Sequence, residues 1–256
     1  MRPYYLETGS EKKIFEVAFN NRLPLMFVGP SGCGKTRFVE FMAHSLGRPL
    51  VTVVCNDETS TTDLLGRYLI KGGETVWQDG PVLSAIKSGA ILYLDEVVEA
   101  REDIIVILHS LTDHRRQIYI DKKNESVTAP DNFLLVASYN PLGKRGLKGL
   151  RESTRQRFVT LDFAYPSFDQ EVEIVCQESG LDKSAVKSLV KLSEKLRGIK
   201  DQNLGDGVST RSLIATAKLI KDGIFPRLAF KLAAINCLTD EDDVRQTLND
   251  LVDISL

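Results

Sequence analysis

The chain has 256 residues, 43% of them hydrophobic and 27% charged, with a formal net charge of -2 and a pI of about 6.0. This composition is ordinary for a globular protein, and the balanced charge gives no overall attraction to nucleic acid. The four cysteines lie far apart and are accompanied by only three histidines, so a zinc site is not expected. The sequence shows no signal peptide and no apolar run near the ~18 residues of a membrane helix. It therefore predicts a soluble cytoplasmic protein with reduced thiols.

The first elements in chain order lead to a glycine-rich loop. Ser10 to Asn20 places apolar side chains at helical spacing behind a serine cap and predicts a helix. Leu25 to Val28 is a short apolar run and predicts a buried strand. The residues that follow fit the P-loop pattern G-x-x-x-x-G-K-[ST], as Gly29-Pro30-Ser31-Gly32-Cys33-Gly34-Lys35-Thr36. Arg37 to Leu46 then predicts an amphipathic helix that ends at Gly47.

The fixed positions of this loop share one chemical purpose, which is to hold a nucleoside triphosphate. The glycines bring backbone N–H groups against phosphate oxygens, and Lys35 can reach the β- and γ-phosphates. The Thr36 hydroxyl suits a Mg²⁺ ligand, and the following helix directs its positive end at the same anion. The expected nucleotide-binding residues are Gly29, Pro30, Ser31, Gly32, Cys33, Gly34, Lys35, Thr36 and Arg37.

The segment after the P-loop helix is interrupted by turn residues. Leu50 to Val54 is apolar and β-branched and predicts a buried strand. A helix is expected to begin at Asp63, but Tyr68 to Val82 is broken by Gly-Gly and Gly-Pro pairs. We therefore expect a projecting segment there, before Leu83 to Lys87 resumes as helix. For Trp77, which lies in this segment, local packing is favoured over contact with a partner.

A second motif begins with Ala90 to Leu94, an apolar run that predicts a strand and is followed by Asp95 and Glu96. Two carboxylates after a strand, 95 − 35 = 60 positions beyond the P-loop lysine, match the Walker B pattern of P-loop NTPases. We expect Asp95, together with Thr36, to hold Mg²⁺. We expect Glu96 to take a proton from, or orient, the water that attacks the γ-phosphate. Without the P-loop, this acidic pair could equally be a solvated strand end.

The remainder of the α/β part contains a helix, a hairpin and two strands. Glu102 to Leu111 predicts the helix, and Arg115 to Thr128 predicts a small hairpin. Phe133 to Asn140 predicts a buried strand whose polar end, Asn140, could position the attacking water. Phe158 to Phe163 predicts the last strand. A local basic cluster precedes it, made of Lys144, Arg145, Lys148, Arg151, Arg155 and Arg157.

From Ser167 onward the pattern contains helices only. The candidates are Asp169–Ser179, Asp182–Arg197, Thr210–Lys221, Arg227–Leu238 and Glu241–Leu251. Before this point strands and helices alternate, which predicts an α/β fold with a mostly parallel sheet, helices on both faces and the P-loop at the carboxyl end of a strand. We expect a nucleotide-binding core over 1–166, with an insert at about 68–82 and a hairpin at about 115–128, and a small all-α lid over 167–256.

In this order, the motifs resemble those of the AAA+ ATPases, and within them the MoxR clade. GPSGCGKT and ILYLDE are similar to Walker A and Walker B, and Asn140 is similar to sensor 1. Arg155 and Arg157 resemble arginine fingers, and Ser209-Thr210-Arg211 resembles sensor 2. Longer stretches, among them LLGRYLIKGGETVWQDGPV, LDEVVEAR and STRQRFV, resemble the CbbQ/NirQ/NorQ branch. The resemblance runs roughly from Leu23 to Arg211.

This resemblance implies a hexameric ring that uses ATP and Mg²⁺, works with a von Willebrand factor A-domain adaptor (CbbO/NorD-like) and remodels a client enzyme. CbbQ-type members activate Rubisco by releasing inhibitory sugar phosphates, which is the leading hypothesis. NirQ and NorQ members serve nitric oxide reductase or nitrite-reducing enzymes. The resemblance adds Asn140, Arg155, Arg157 and Arg211 to Glu96 as catalytic residues. It favours Arg157 over Arg155 as the arginine finger. It also implies that Arg211 contacts the γ-phosphate from the lid, so that the lid moves when the nucleotide state changes.

Two functions of other classes also use a P-loop. A nucleic-acid motor or clamp loader would use Arg115, Arg116 and the basic cluster as phosphate contacts, but the negative net charge argues against it. A small-molecule kinase would need neither the sensor arginines nor a lid of this kind. The expected partners therefore include neither nucleic acid nor membranes.

Overall fold

The computed structural model describes residues 3–141, 150–199 and 206–256. The chain forms two compact units. The first takes its described residues from Met1–Pro3, Gly9–Val28 and Lys35–Asp162, and the second from Tyr4–Thr8, Gly29–Gly34 and Phe163–Leu256. The P-loop sequence is thereby divided, because its glycine-rich part belongs to the second unit while Lys35 and Thr36 belong to the first.

A parallel sheet forms the centre of the first unit. In chain order the strands are β1 (Leu25–Val28), β2 (Leu50–Val54), β3 (Gly66–Lys71), β4 (Glu74–Asp79), β5 (Ile91–Asp95), β6 (Gln117–Ile120), β7 (Glu125–Thr128), β8 (Leu134–Tyr139) and β9 (Val159–Asp162). Five of them pair in parallel in the order β2-β5-β8-β1-β9. The predicted α/β fold with a parallel sheet is confirmed.

Helices accompany this sheet and cover its apolar strands. They are α1 (Glu11–Asn20), α2 (Lys35–Ser45), α3 (Thr61–Leu65), α4 (Pro81–Ser88), α5 (Glu102–His109) and α6 (Glu152–Arg155). Successive residues of the central strands β5 and β8 are buried, so both faces of the sheet are covered there. β2 is an edge strand and Val54 is 64% exposed. The prediction of a strand at Leu50 to Val54 is right, but the expectation that it is buried is wrong, because among the described strands β2 pairs with β5 alone.

The described part of the first unit also contains two antiparallel hairpins. The helix expected from Asp63 begins at Thr61 and ends before Gly66, where β3 begins. Most of the segment over 68–82 is the β3–β4 hairpin, and Gly72 and Gly73, with φ of 61° and 87°, form its two-residue turn. Trp77 packs on Tyr68 across this hairpin, with 5.0 Å between ring centroids. β6 and β7 form the second hairpin, within the range predicted for it.

In the described part of the second unit, helices surround a separate apolar core. They are α7 (Phe168–Ser179), α8 (Lys183–Arg197), α9 (Thr210–Lys221), α10 (Pro226–Ala233) and α11 (Asp242–Ser255). The single helix predicted over Arg227 to Leu238 is wrong, because Ala234 leaves helical geometry at φ −119° and a 3-10 turn, Ile235–Cys237, follows. Among the described residues, no helix combines the length and the apolarity needed to cross a bilayer.

Candidate active site

Thr36 and Asp95 meet at the carboxyl end of the parallel sheet. Asp95 is the last residue of β5, and Thr36 lies in the first turn of α2. The Thr36 hydroxyl donates a hydrogen bond to Asp95 Oδ2 at 3.3 Å. The two residues that the sequence analysis named as Mg²⁺ ligands are therefore adjacent, although 59 positions separate them in the chain.

The other oxygen of Asp95 is held by two hydroxyl groups that the sequence analysis did not single out. Ser138 Oγ donates to Asp95 Oδ1 at 2.5 Å, and the Tyr93 hydroxyl lies 2.9 Å from the same oxygen. Both side chains are fully buried. The positions of Tyr93 and Ser138 in their strands are a signal that could have identified them. Tyr93 lies two residues before Asp95, on the same face of β5. Ser138, likewise, is a polar residue inside the otherwise apolar strand β8.

Burial favours the neutral forms of the groups around Asp95. It raises the pKa of the Tyr93 phenol, and the negative charge of Asp95 adds to the effect. The same two causes raise the pKa of Cys55 to about 12. Both groups are uncharged near neutral pH even at their ordinary pKa values, and the upward shifts strengthen this: Tyr93 can donate a hydrogen bond and Cys55 stays an unreactive thiol.

The oxygen atoms at this position fit a Mg²⁺ ion. Mg²⁺ is bound in phosphate-transfer sites through one or two protein oxygens, with waters and substrate phosphates as its other ligands. Thr36 Oγ1 and Asp95 Oδ2 supply such a pair. In the described part of the chain there is no cluster of three or more His, Cys, Asp or Glu side chains that could hold a metal by themselves.

Glu96 differs from Asp95 in backbone conformation and exposure. Its φ of 56° and ψ of 43° are left-handed, and its side chain is exposed. Its N–H donates to Ser138 Oγ at 3.4 Å. Asn140 is half-buried and follows β8, which is the strand beside β5. Glu96 and Asn140, both named from the sequence, therefore lie at the ends of neighbouring strands.

The two arginines proposed as fingers lie on the turn before β9. Arg155 is exposed at the end of α6, whereas Arg157 is half-buried. Arg157 Nε is buried and has no hydrogen-bond partner among the described residues. The buried Thr154 anchors the turn, since its Oγ1 lies 3.0 Å from His109 Nε2. Three members of the predicted basic cluster lie outside the described residues, namely Lys144, Arg145 and Lys148.

In the second unit, the glycine-rich residues of the P-loop contact the beginning of α9. A Cβ atom on Gly32, whose φ is 70°, would lie 2.7 Å from Ser209 Cβ and 3.3 Å from Arg211 Cβ. A Cβ atom on Gly29 would lie 2.2 Å from the carbonyl oxygen of Phe163. Both positions therefore require glycine. The Cβ of Arg211 therefore lies beside the loop, and the Arg211 side chain is exposed.

The remaining loop residues differ in their surroundings. Cys33 is buried, Pro30 is half-buried, and the exposed Arg37 lies 3.6 Å from Glu40. Ser31 is bound at both of its backbone groups: its N–H donates to Asp206 Oδ2 at 2.8 Å, and its carbonyl oxygen accepts from the Tyr165 hydroxyl at 3.0 Å. Ser31 is predictable from the P-loop motif, whereas neither partner is, because no motif links Tyr165 or Asp206 to the loop.

Comparison with known proteins shows the family to which this chain is related. A sequence model of the AAA domain (dynein-related subfamily) matches residues 24–158, and one described as CbbQ/NirQ/NorQ C-terminal matches residues 171–255. Protein NorQ of Paracoccus denitrificans is 53% identical over 249 residues, which are 97% of this chain and 92% of the relative. The chain belongs to the CbbQ/NirQ/NorQ family of AAA ATPases. Protein CbbQ of Hydrogenophilus thermoluteolus is 49% identical, over 96% of this chain and 92% of the relative.

Membership in this family makes the chain an ATP-hydrolysing enzyme of the MoxR clade, so the predicted family and the predicted ATPase activity are confirmed. AAA proteins bind nucleotide and assemble as oligomers. Among solved structures, a point mutant of RuvB from Thermotoga maritima is similar in fold, with a TM-score of 0.58 at 19% identity. The match covers 99% of this chain and 74% of that one. At this identity the likeness concerns the fold alone.

Proposed function

We propose that the chain is a ring-forming ATPase that uses the energy of hydrolysis to remodel and activate a client enzyme. The observation that carries the proposal is the 3.3 Å contact between Thr36 and Asp95. It brings the hydroxyl of the P-loop motif to the acidic end of β5, and the two oxygens together suit a cation that carries phosphate. This arrangement supports hydrolysis of ATP at the P-loop.

Five residues of the first unit divide the chemistry in this proposal. Lys35 binds the β- and γ-phosphate oxygens, and Thr36 and Asp95 hold the Mg²⁺. When bound, that ion neutralises the charge that develops on the phosphates. Glu96 takes the proton of the attacking water, and Asn140 orients this water.

Arginines complete the proposed site. Arg211 contacts the γ-phosphate from its place beside the phosphate loop, and so links the nucleotide state to the helical unit. Arg157 acts on the nucleotide of a neighbouring copy in a hexamer, where an arginine finger contributes ~10³–10⁵ in rate. We prefer Arg157 to Arg155 because a half-buried guanidinium on a turn anchored by Thr154 is held in a more defined direction than an exposed one.

For the client, two enzymes are candidates, each reached through a von Willebrand factor A-domain adaptor (CbbO/NorD-like) in the cytoplasm. The stretches GGETVWQDG and LDEVVEAR resemble CbbQ, which favours Rubisco inhibited by a sugar phosphate. A separate observation favours nitric oxide reductase as the second candidate, because the NorQ relative is 53% identical and the CbbQ relative 49%. The ATPase chemistry is the same in both cases.

A reactivation assay with both clients tests the proposal. Inhibited Rubisco and inactive nitric oxide reductase are incubated separately with the chain, the adaptor, ATP and Mg²⁺, and carboxylation or nitric oxide reduction is followed. We expect one client to recover in an ATP-dependent manner. The Glu96→Gln variant should bind ATP, hydrolyse it ~10²–10⁴-fold more slowly and restore neither client, because a carboxamide cannot accept the proton.

Two results would contradict this reading. If neither client recovers while the wild-type protein hydrolyses ATP, the proposed clients are wrong and the ATPase assignment stands. If the Glu96→Gln variant hydrolyses ATP at the wild-type rate, Glu96 is not the base.

A further inference from the structure

We propose that Tyr165 is a positioning residue of the phosphate loop, an inference that rests on the proposed function of that loop. Tyr165 lies between β9 and α7, and its hydroxyl donates to the carbonyl oxygen of Ser31 at 3.0 Å. On the other side of the same residue, the Ser31 N–H donates to Asp206 Oδ2 at 2.8 Å. The loop is therefore held at Ser31 by side chains of the helical unit to which Gly29–Gly34 belong.

The Tyr165 ring is itself held in place. The guanidinium of Arg197 stacks over it, with 3.9 Å between the Arg197 Cζ and the ring centroid. Burial raises the pKa of the Tyr165 phenol, and the negative charge of Asp206 adds to this effect. The hydroxyl, protonated at neutral pH as in any tyrosine, stays so to still higher pH and can donate to the Ser31 carbonyl.

A buried ion pair fixes Arg197 in turn. Arg197 Nη1 and Nη2 donate to the two carboxylate oxygens of Glu171 at 2.8 and 2.7 Å, and Glu171 is fully buried. Arg197 Nε also donates to the carbonyl oxygen of Val208 at 2.7 Å. A bidentate pair with this many satisfied donors leaves the arginine little freedom. The stacking surface beneath Tyr165 is therefore rigid.

The same carboxylate also supports the beginning of α9. Thr210 is the first residue of this helix, and its hydroxyl donates to Glu171 Oε1 at 2.5 Å. The next residue is Arg211, and Ser209, the residue before, is the one whose Cβ approaches Gly32. Glu171 thus supports both the ring that holds Ser31 and the helix start that carries Arg211.

This arrangement predicts a specific kinetic effect. A P-loop binds phosphate through backbone N–H groups that must be directed at the ligand before it arrives. The Tyr165 hydroxyl restricts the Ser31 peptide, next to the left-handed Gly32, without belonging to the groups that cleave the phosphate. Its loss should therefore weaken ATP binding and leave the chemical step almost unchanged.

The test compares two tyrosine hydroxyls of the second unit. Tyr165→Phe removes the hydroxyl and keeps the ring that stacks with Arg197. We expect the Kd and the KM for ATP to rise about three- to tenfold, as for the loss of one hydrogen bond, with kcat within about twofold and Tm unchanged. Tyr4→Phe is the matched control, because its hydroxyl donates to Glu173 at 3.4 Å in an exposed contact. It should leave all four quantities unchanged.

The outcomes separate this inference from the proposed function. If the wild-type protein binds ATP and Tyr165→Phe binds it equally tightly, the positioning role is wrong while the P-loop assignment stands. If Tyr165→Phe lowers kcat and Tm together without raising the KM, the residue is merely structural and the inference is again wrong. If the wild-type protein does not bind ATP at all, the proposed function fails first.

Discussion

Replacing Ser138 with alanine should weaken Mg²⁺ binding without removing a proposed ligand. Ser138 is fully buried in β8, and its hydroxyl donates to Asp95 Oδ1 at 2.5 Å. It also accepts from the Glu96 N–H at 3.4 Å. Without the Ser138 hydroxyl, Asp95 Oδ1 retains the Tyr93 hydroxyl but loses its other partner. The carboxylate is then held less firmly in the orientation that directs Oδ2 toward Thr36. The carboxylate must then be ordered when the cation binds.

The size of the effect follows from the charge of the acceptor. A hydrogen bond to a charged group contributes about 1.5–3 kcal/mol, and each 1.4 kcal/mol corresponds to about tenfold in affinity. Partners that orient a metal ligand typically change metal affinity by about 10–100-fold when they are removed. We therefore expect the free Mg²⁺ concentration for half-maximal ATPase activity to rise by about 10–100-fold in Ser138→Ala.

The assay is the ATPase rate as a function of free Mg²⁺, with ATP saturating. Ser193→Ala is the matched control, because Ser193 is also fully buried and its hydroxyl donates to the Val190 carbonyl oxygen at 2.8 Å, in α8 of the other unit. Both variants lose one buried hydroxyl, so a general loss of stability would affect both. The reasoning is refuted if Ser138→Ala needs no more Mg²⁺ than the wild-type protein, or if Ser193→Ala needs as much as Ser138→Ala.

Two further predictions concern the phosphate contacts. Lys35→Ala should abolish tight ATP binding, because the phosphates lose the P-loop ammonium group. Titration with a fluorescent ATP analogue measures the binding, and an unchanged Tm shows that the variant is folded. Arg157→Ala, and to a smaller extent Arg155→Ala, should lose hydrolysis by ~10³-fold or more while still binding ATP. Mixing Arg157→Ala with Lys35→Ala should restore part of the turnover. In mixed rings, the Lys35→Ala subunit supplies the arginine finger and the Arg157→Ala subunit supplies an intact P-loop. No rescue in mixed rings with proven subunit exchange would place the finger elsewhere.

The sheet could be predicted from the sequence because its strands are continuous apolar runs. The bounds expected for Leu25 to Val28 and Leu50 to Val54 agree with β1 and β2. The β3–β4 hairpin could not be predicted in this way, because its side chains do not alternate clearly between apolar and polar. In the sequence, Gly72-Gly73 predicts a break between helical segments, whereas in the structure it is the turn of a hairpin. Glycine marks a change of chain direction both at a helix break and in a hairpin turn. The two are distinguished only by whether the flanking segments pair as strands.

For the candidate site, the motif residues could be named because their spacing within the motif is fixed by contact with one ligand. The residues that support them have no such spacing. The Ser138 contact with Asp95 spans 43 positions, and the Tyr165 contact with Ser31 spans 134. A buried serine and a partly buried tyrosine are each common in folded proteins. Only the assembled fold shows which polar group they hold.

The neighbouring carboxylates Asp95 and Glu96 can take different roles because the chain turns sharply between them. In a strand that continued, they would lie on opposite faces of the sheet. Instead β5 ends at Asp95, and Glu96 takes the left-handed conformation that leads into the 3-10 turn Val97–Glu99. For a residue with a side chain, this conformation costs about 1–2 kcal/mol, and such strain is often found at functional sites.

Ser138 connects the two sides of this turn. Its hydroxyl hydrogen is donated to Asp95, and its oxygen accepts from the Glu96 N–H. The first contact orients the proposed cation ligand, and the second holds the strained residue that carries the proposed base. Because one buried oxygen atom makes both contacts, a change at Ser138 should alter the position of Glu96 as well as the affinity for Mg²⁺. This is the physical reason why a serine that no motif contains belongs with the two proposed catalytic carboxylates.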